Sequence, residues 1–152
     1  MKMALLAVLF VGLAGLATGA QEQPGEAHAA PAVRFEAVDV HIEAGAETLA
    51  AYQFEFSAET GDIKIVGVEG GEHPAFANPP YYDPAALSKD RIIIAAFSTS
   101  KELPRGKTRV ARVHLYITGD AEPEYVVKVT AAATSTGEEI AATGTIAQGE
   151  DE

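Results

Sequence analysis

An alternating stretch at residues 49–69 constrains the fold most strongly. Its first half spaces Tyr52, Phe54 and Phe56 with polar residues, which is the period-two pattern of a strand with one apolar and one solvated side. Turn residues follow, and among them Gly61 can adopt a positive φ. A second apolar alternation then completes the stretch. The sequence therefore predicts two strands joined by a turn, with an aromatic face that the rest of the chain must cover.

Similar alternation recurs along the chain between turns rich in Gly, Pro and Asp. At least seven strand-like runs are present, and the others lie at 33–43, 91–98, 108–118, 125–131 and 140–147. In the first run the alternating apolar residues are Val38, Val40 and Ile42, and in the run at 125–131 they are Tyr125, Val127, Val129 and Ala131. No amphipathic helix follows the N-terminal segment, and the one helical candidate is a short turn near residues 83–87. The pattern predicts an all-β sandwich, which Greek-key or jelly-roll wiring would close most economically.

Residues 1–20 have the pattern of a secretory signal peptide. A short basic start precedes an apolar run at 4–16, and small residues lead to a cleavage site after Ala20. The alternative is a retained membrane anchor, but a spanning helix needs about 20 apolar residues and this run is shorter. No Cys stands at the cleavage site, so lipid modification is excluded. We expect a secreted or periplasmic protein of a bacterial envelope, with no membrane span after cleavage.

The remaining chain is long enough for one domain. We expect a flexible leader at 21–32, a β-sandwich domain at 33–147 and an acidic tail at 148–152. The chain has no Cys, so stability must come from a packed core or bound ions rather than from disulfides.

The charge balance restricts the partners. The 152-residue chain has 22 acidic and 11 basic residues and a formal net charge of −11. Such a surface repels phosphate backbones and anionic lipid, so we expect no nucleic-acid partner. Its simpler consequence is solubility outside the cell.

No motif indicates catalysis. Cysteine chemistry is impossible, no serine has a Gly-x-Ser-x-Gly setting, and the four histidines are scattered in sequence. Neither a calcium loop nor a phosphate-binding loop is present. We therefore expect a protein that is not an enzyme and has no metal or cofactor. The alternative is a small enzyme subunit or a periplasmic accessory domain, with a site that assembles from distant strands.

One candidate binding surface is the outer face of the strands at 91–98 and 108–118. The first of these is almost continuously apolar, as expected for a strand that is buried on both sides or faces a partner. In the strand at 108–118, alternate residues face the core and the residues between them face outward. The predicted outer set is Val110, Arg112, His114 and Tyr116. Arg and Tyr are frequent in protein interfaces, so Arg112, His114 and Tyr116 are candidate partner-binding residues.

A second candidate surface is the long proline-rich connection at 70–90. It carries Phe76, Tyr81 and Tyr82, and aromatic faces stack on sugar rings. These three residues are candidate ligand-binding residues for a polysaccharide. The structural alternative is that they plug one end of the sandwich.

The order of these segments resembles cohesin-type domains and the wider group of cohesin-like and cellulose-binding β-sandwiches. The resemblance covers 33–147 and rests on apolar alternation and glycines in seven segments: 38–42, 49–56, 63–69, 92–97, 106–116, 131–140 and 144–146. It implies a nine-stranded jelly-roll without enzyme activity. It also implies a dockerin-type protein partner, bound through one sheet face that involves the strands near 63–69, 91–98, 108–118 and 125–133.

Overall fold

The computed structural model describes residues 30–149. The predicted signal peptide at 1–20, most of the 21–32 leader and residues 150–152 of the predicted tail lie outside this part of the chain. No helix within it is long and apolar enough to cross a membrane.

Eight strands form between residues 30 and 149, so the all-β prediction is confirmed. They are β1 (Val33–Glu43), β2 (Ala51–Ala58), β3 (Asp62–Gly70), β4 (Tyr81–Tyr82), β5 (Arg91–Phe97), β6 (Lys107–Thr118), β7 (Tyr125–Ala133) and β8 (Thr143–Gln148). The last strand begins later than predicted and continues one residue into the predicted tail.

The strands form two four-stranded antiparallel sheets. The first sheet has the order β3-β6-β1-β8 and the second has the order β4-β5-β2-β7. The four strands that the cohesin resemblance assigns to one binding face are therefore divided. The strands near 63–69 and 108–118 belong to the first sheet, and those near 91–98 and 125–133 belong to the second. One sheet face cannot present all four.

The core lies between the two sheets, where the alternation predicted it. Tyr52, Phe54 and Phe56 of β2 are all buried. From the first sheet, β1 contributes its predicted apolar set, Val38, Val40 and Ile42, all fully buried. Their burial supplies the main driving force for folding, at about 1.5–3 kcal/mol for each large apolar side chain.

A β-bulge in β6 overturns one prediction about its outer face. Val40 of β1 lies opposite Ala111, whereas the next β1 residue lies opposite Arg109. The extra residue, Val110, was predicted to lie outside but is fully buried, as is Ala111. Because a bulge shifts the alternation by one residue, Arg109 and Arg112 both reach the outer side of the sheet.

Two further bulges change the parity of their strands. In β3 the register shifts between Ile65 and Gly67, which lets Val68 join the core. In β7 the shift lies at Thr130. As a result Ala131, predicted to alternate with the inner residues, is exposed, and Ala132 is buried instead.

A buried hydrogen bond joins the two sheets at the β6 bulge. The Tyr52 hydroxyl of β2 donates to the Val110 carbonyl at 3.0 Å. The Tyr52 ring also meets the Phe76 ring edge-on, with centroids 5.1 Å apart. Burial raises the pKa of Tyr52, so its hydroxyl remains a donor at all ordinary pH values.

The predicted long connection at 70–90 contains short regular elements. Two single-turn 3₁₀ helices, Pro74–Phe76 and Pro84–Ala86, flank β4, and the second confirms the helical turn expected near 83–87. Each begins with a proline and is capped by the preceding side chain, His73 or Asp83. Gly71 permits the close approach of this connection to β6, since a Cβ there would lie 2.3 Å from a backbone oxygen.

The role of the inter-sheet bond can be tested with two tyrosine substitutions. We expect Tyr52→Phe to lower the free energy of unfolding by about 1–3 kcal/mol, because it leaves a buried carbonyl without its hydroxyl donor. Tyr125 is a matched control. Its hydroxyl is buried without a hydrogen-bond partner among residues 30–149, and burial raises its pKa to about 12.

Removing that unpartnered hydroxyl should be neutral or slightly stabilising. Urea denaturation of the wild type, Tyr52→Phe and Tyr125→Phe measures both effects. Equal losses in the two variants would show that the Tyr52 bond has no special role.

Candidate functional site

The outer face of the first sheet brings the three predicted partner-binding residues together on β6. Arg112 is held there by the buried carboxylate of Asp39 on β1. Its Nε donates to Oδ1 at 2.8 Å and its Nη2 donates to Oδ2 at 3.2 Å. This two-bond geometry is the preferred pairing of guanidinium with carboxylate. The sequence did not predict it, because the two residues are 73 positions apart.

The other two predicted residues also have neighbours on this face. His114 Nε2 lies 2.7 Å from Glu69 Oε1 on β3. The Tyr116 ring meets the exposed Phe35 ring edge-on at 5.4 Å. The ammonium group of Lys64 lies 5.6 Å from the Tyr116 ring centroid, within cation–π range. These side chains are thus already engaged within the chain. Their partner-binding role stays a prediction.

Asp39 is the electrostatic centre of the first-sheet face. Burial alone would raise the pKa of its carboxyl group. The hydrogen bonds and charge of Arg112, together with the charge of Arg109, outweigh that effect and hold the pKa below its ordinary value. Asp39 therefore remains ionised over the whole physiological range.

The outer face of the second sheet differs in character. Three large apolar side chains stand on it in the open: Tyr81 is 69% exposed, Ile93 is 52% exposed and Phe97 is 65% exposed. Beside them lies a floor of small side chains, which consists of Ala51, Ala95, Ala131 and Ala133. Hereafter these seven residues are called the apolar face. Large contiguous patches of exposed apolar groups are typical of interaction surfaces.

Strand pairing explains why the apolar face exists. Ala51 lies opposite Phe97 on one side and Ala133 on the other. Tyr81 lies opposite Ala95. The rings of Tyr81 and Phe97 are nearly parallel, with an interplanar angle of 10° and centroids 6.3 Å apart. Shallow clefts of about 250 and 670 Å³ open on the two sides of Tyr81.

Charged and polar side chains border the apolar face. Arg91 and Glu55 form an ion pair across β5 and β2. The Gln53 side-chain amide donates to the Thr130 hydroxyl at 3.0 Å. An apolar centre with a polar rim is the usual composition of a protein-binding surface.

The sequence signal for this face was the continuous apolar run of β5. Of the two explanations, burial on both sides does not hold, because Ile92 and Ile94 are buried whereas Ile93 is half exposed. The other explanation, a strand that faces a partner, stays a prediction. Ile93 and Phe97 were not singled out individually, since a one-sided exposure cannot be read from an unbroken run.

The three aromatic residues of the 70–90 connection have different positions. Phe76 is only 3% exposed and packs in the core, so its ring offers no face to a ligand. Tyr82 is partly buried and packs against the core. Tyr81 alone stands exposed, on the apolar face. The structural alternative for the connection therefore describes Phe76 and Tyr82, and a ligand-binding role for Tyr81 stays a prediction.

Among residues 30–149, no three His, Asp or Glu side chains are grouped so that they could hold a metal ion. Comparison of the chain with protein-family models, curated proteins and solved structures finds no significant match. The cohesin resemblance therefore rests on the sequence pattern alone.

The Asp39 pairing has a pH signature. Because its folded pKa is lowered, Asp39 contributes stability above the unfolded pKa of about 3.9 and loses that contribution as the pH falls through the folded pKa. We expect Asp39→Asn to lower the free energy of unfolding by about 2 kcal/mol at pH 7. The difference from wild type should stay constant down to about pH 5 and shrink below about pH 4.

Asp120→Asn, which removes an exposed carboxylate, is the matched control for this titration. Urea denaturation between pH 3 and pH 7 compares the three proteins. A difference between Asp39→Asn and wild type that does not depend on pH would contradict the pairing.

Proposed function

We propose that this protein is an exported, non-catalytic binding module that holds a protein partner against the apolar face of its second sheet. The observation that carries the proposal is the exposure of Tyr81, Ile93 and Phe97 beside an alanine floor. Each large side chain would bury apolar area in a complex, and such burial is favourable by about 25 cal/mol per Å².

The geometry of the face suits a protein partner. Tyr and Phe are enriched at the centres of interfaces, where surrounding contacts exclude water from them. The rim of the face provides charged and amide groups that can set the orientation of the partner, among them Arg91 and Gln53. The alanines leave the floor flat enough for a partner side chain to lie between Tyr81 and β7.

The first sheet is the weaker candidate for this role. The residues predicted to bind a partner there already make hydrogen bonds within the chain, Arg112 with Asp39 and His114 with Glu69. A partner would have to displace these contacts or use the remaining hydrogen-bonding capacity of the same side chains. On the second sheet, Ile93 and Phe97 require only that water be removed.

Export, the jelly-roll wiring and the kind of partner are inferred from the sequence. The signal-peptide pattern at 1–20 supports export to the periplasm or beyond. The segment order over 33–147 supports jelly-roll wiring of the cohesin kind, in which a ninth strand would be expected. A dockerin-type partner is the kind that this resemblance suggests.

Polysaccharide binding is the second candidate function, and one observation favours it. Tyr81 and Phe97 present two nearly parallel rings on an otherwise flat surface. Rings arranged in this way can stack on successive sugar units. The loop site predicted from the sequence would then be reduced to Tyr81 and extended by Phe97, which belongs to β5.

Binding to a protein can be tested by capture from the exported proteins of the source organism, first with calcium and then with a chelator. We expect an Ile93→Ser/Phe97→Ser double variant to reduce capture of a specific protein by about tenfold or more, since two anchors are lost. Phe35→Ser is the matched control. It removes an aromatic ring that is 71% exposed on the other sheet, and it should capture as wild type does.

Two other outcomes would indicate a different binding site or a different ligand. Loss of capture in Phe35→Ser with retention in the double variant would move the site to the first sheet. Retention of the wild type, but not of Tyr81→Ala, on an insoluble polysaccharide in the absence of any captured protein would establish the second candidate instead.

A further inference from the structure

A polar pocket lies on the first sheet, on the opposite side of the molecule from the apolar face. It has a volume of about 380 Å³, which is within the range of small-molecule sites. Strands β1, β6 and β8 and the connection after β3 form it. Its lining consists of Asp39, His41, Glu72, Arg109, Arg112, Ala147 and Gln148.

The β6 bulge creates this pocket. Without the extra residue, Arg109 and Arg112 would point to opposite sides of the strand, because their positions differ by an odd number. With it, both arginines flank the single carboxylate of Asp39. Arg112 donates two hydrogen bonds to that carboxylate, at 2.8 and 3.2 Å.

Arg109 is left with much weaker contacts. Within residues 30–149 its Nη1 lies 3.5 Å from the Gly70 carbonyl oxygen and 3.8 Å from Asp39 Oδ1. Both distances are at or beyond the limit of a good hydrogen bond. A guanidinium group has five N–H donors, and its planar fork matches a carboxylate. This mostly buried side chain therefore retains donors for a ligand.

The pocket also presents a negative group. Glu72 Oε1 accepts the backbone N–H of Arg109 at 2.9 Å, and the Thr108 hydroxyl lies 3.4 Å from the same oxygen. Its second carboxylate oxygen makes no hydrogen bond within the described part of the chain. The Glu72 carboxylate lies beside the backbone of Arg109, whereas the guanidinium extends toward Asp39. Both charged groups line the same pocket.

Among residues 30–149, the charged side chains that line the pocket are balanced. Asp39 and Glu72 offset Arg109 and Arg112, with His41 counted as neutral. A simple anion would add net negative charge to a protein that is already strongly acidic. A ligand that carries one positive and one negative group keeps the balance. His41 Nδ1 is buried without a hydrogen-bond partner in residues 30–149, so the cluster does not satisfy itself.

We propose that this pocket binds a small zwitterion of the amino-acid type, with the ligand carboxylate on the Arg109 guanidinium and the ligand ammonium on the Glu72 carboxylate. The bidentate Arg112–Asp39 pair forms the rigid wall between β1 and β6. The site is independent of the apolar face and of any partner bound there.

Titration of the purified ¹⁵N-labelled protein, followed by ¹H–¹⁵N NMR, tests the proposal with matched probes. L-Alanine carries both groups, propionate lacks the ammonium and ethylamine lacks the carboxylate. We expect saturable shifts of the amides of Arg109, Glu72 and Gln148 with L-alanine. Its affinity should exceed that of either half-ligand by about tenfold or more, because each charged hydrogen bond is a substantial contribution. L-Leucine tests whether a larger side chain is accepted.

Charge-matched variants locate the two ends of the ligand. Arg109→Gln and Glu72→Gln should each weaken L-alanine binding by about tenfold. The exposed loop variants Lys101→Gln and Glu102→Gln make the same charge changes elsewhere and should bind as wild type does. The Glu72→Gln variant keeps an acceptor for the backbone N–H of Arg109, so the fold should survive, and the NMR spectrum verifies this.

Absence of saturable shifts with both amino acids would overturn the proposal. So would equal affinity for propionate, ethylamine and L-alanine, or unchanged binding in both pocket variants. None of these results depends on whether a protein or a polysaccharide binds the apolar face.

Discussion

The hydroxyl of Tyr52 and the carbonyl of Val110 form the contact on which the arrangement of both sheets depends. The carbonyl belongs to a bulge, where the regular ladder between β1 and β6 is interrupted. A buried carbonyl left without a partner would cost about 1–3 kcal/mol, so a bulge in a core strand needs an additional donor. Tyr52 provides it from the opposite sheet and also fixes how the two sheets pack. The aromatic face of β2 is thereby linked by a hydrogen bond to the bulge in β6.

From that bulge follows the difference between the two outer faces. By shifting the alternation of β6, it places Val110 and Ala111 in the core and two arginines outside around Asp39. The first sheet thus carries a charged cluster around Asp39, in which Arg112 is fully paired with the carboxylate and the Arg109 guanidinium makes only long contacts within residues 30–149. The second sheet carries the apolar face. Separate faces of such different chemistry can serve separate ligands, one recognised by apolar contact and the other by charge.

The alternation of apolar residues predicted much of this fold. The alternation is correct for β1, with Val38, Val40 and Ile42 in the core, and for the aromatic residues of β2. In both cases the extra residue of the bulge lies in the neighbouring strand, so β1 and β2 keep their own alternation. The prediction failed at Val110 and Ala131, where one extra residue reverses the parity. No local sequence signal marks either bulge, because each depends on a register set by residues far away in the chain.

The candidate binding residues were harder to place from the sequence than the core. Arg112 was correctly placed on an outer face, but its partner Asp39 lies on another strand and could not be read from spacing. Phe76 and Tyr81 stand in the same proline-rich connection and have similar sequence environments. Only the path of the backbone decides that one fills the core and the other stands in solvent. The apolar face joins residues from four strands, and no short motif contains it.

The proposed binding role of the second sheet is the point most in need of a direct test. Hydrogen–deuterium exchange of the protein, alone and in complex with a captured partner, provides that test, because bound segments become protected. If a partner binds the apolar face, we expect new protection in β4 and β5, at Tyr81 and across Arg91–Phe97, with β1 and β6 unchanged. Protection confined to β1 and β6, around Phe35 and Tyr116, would contradict it.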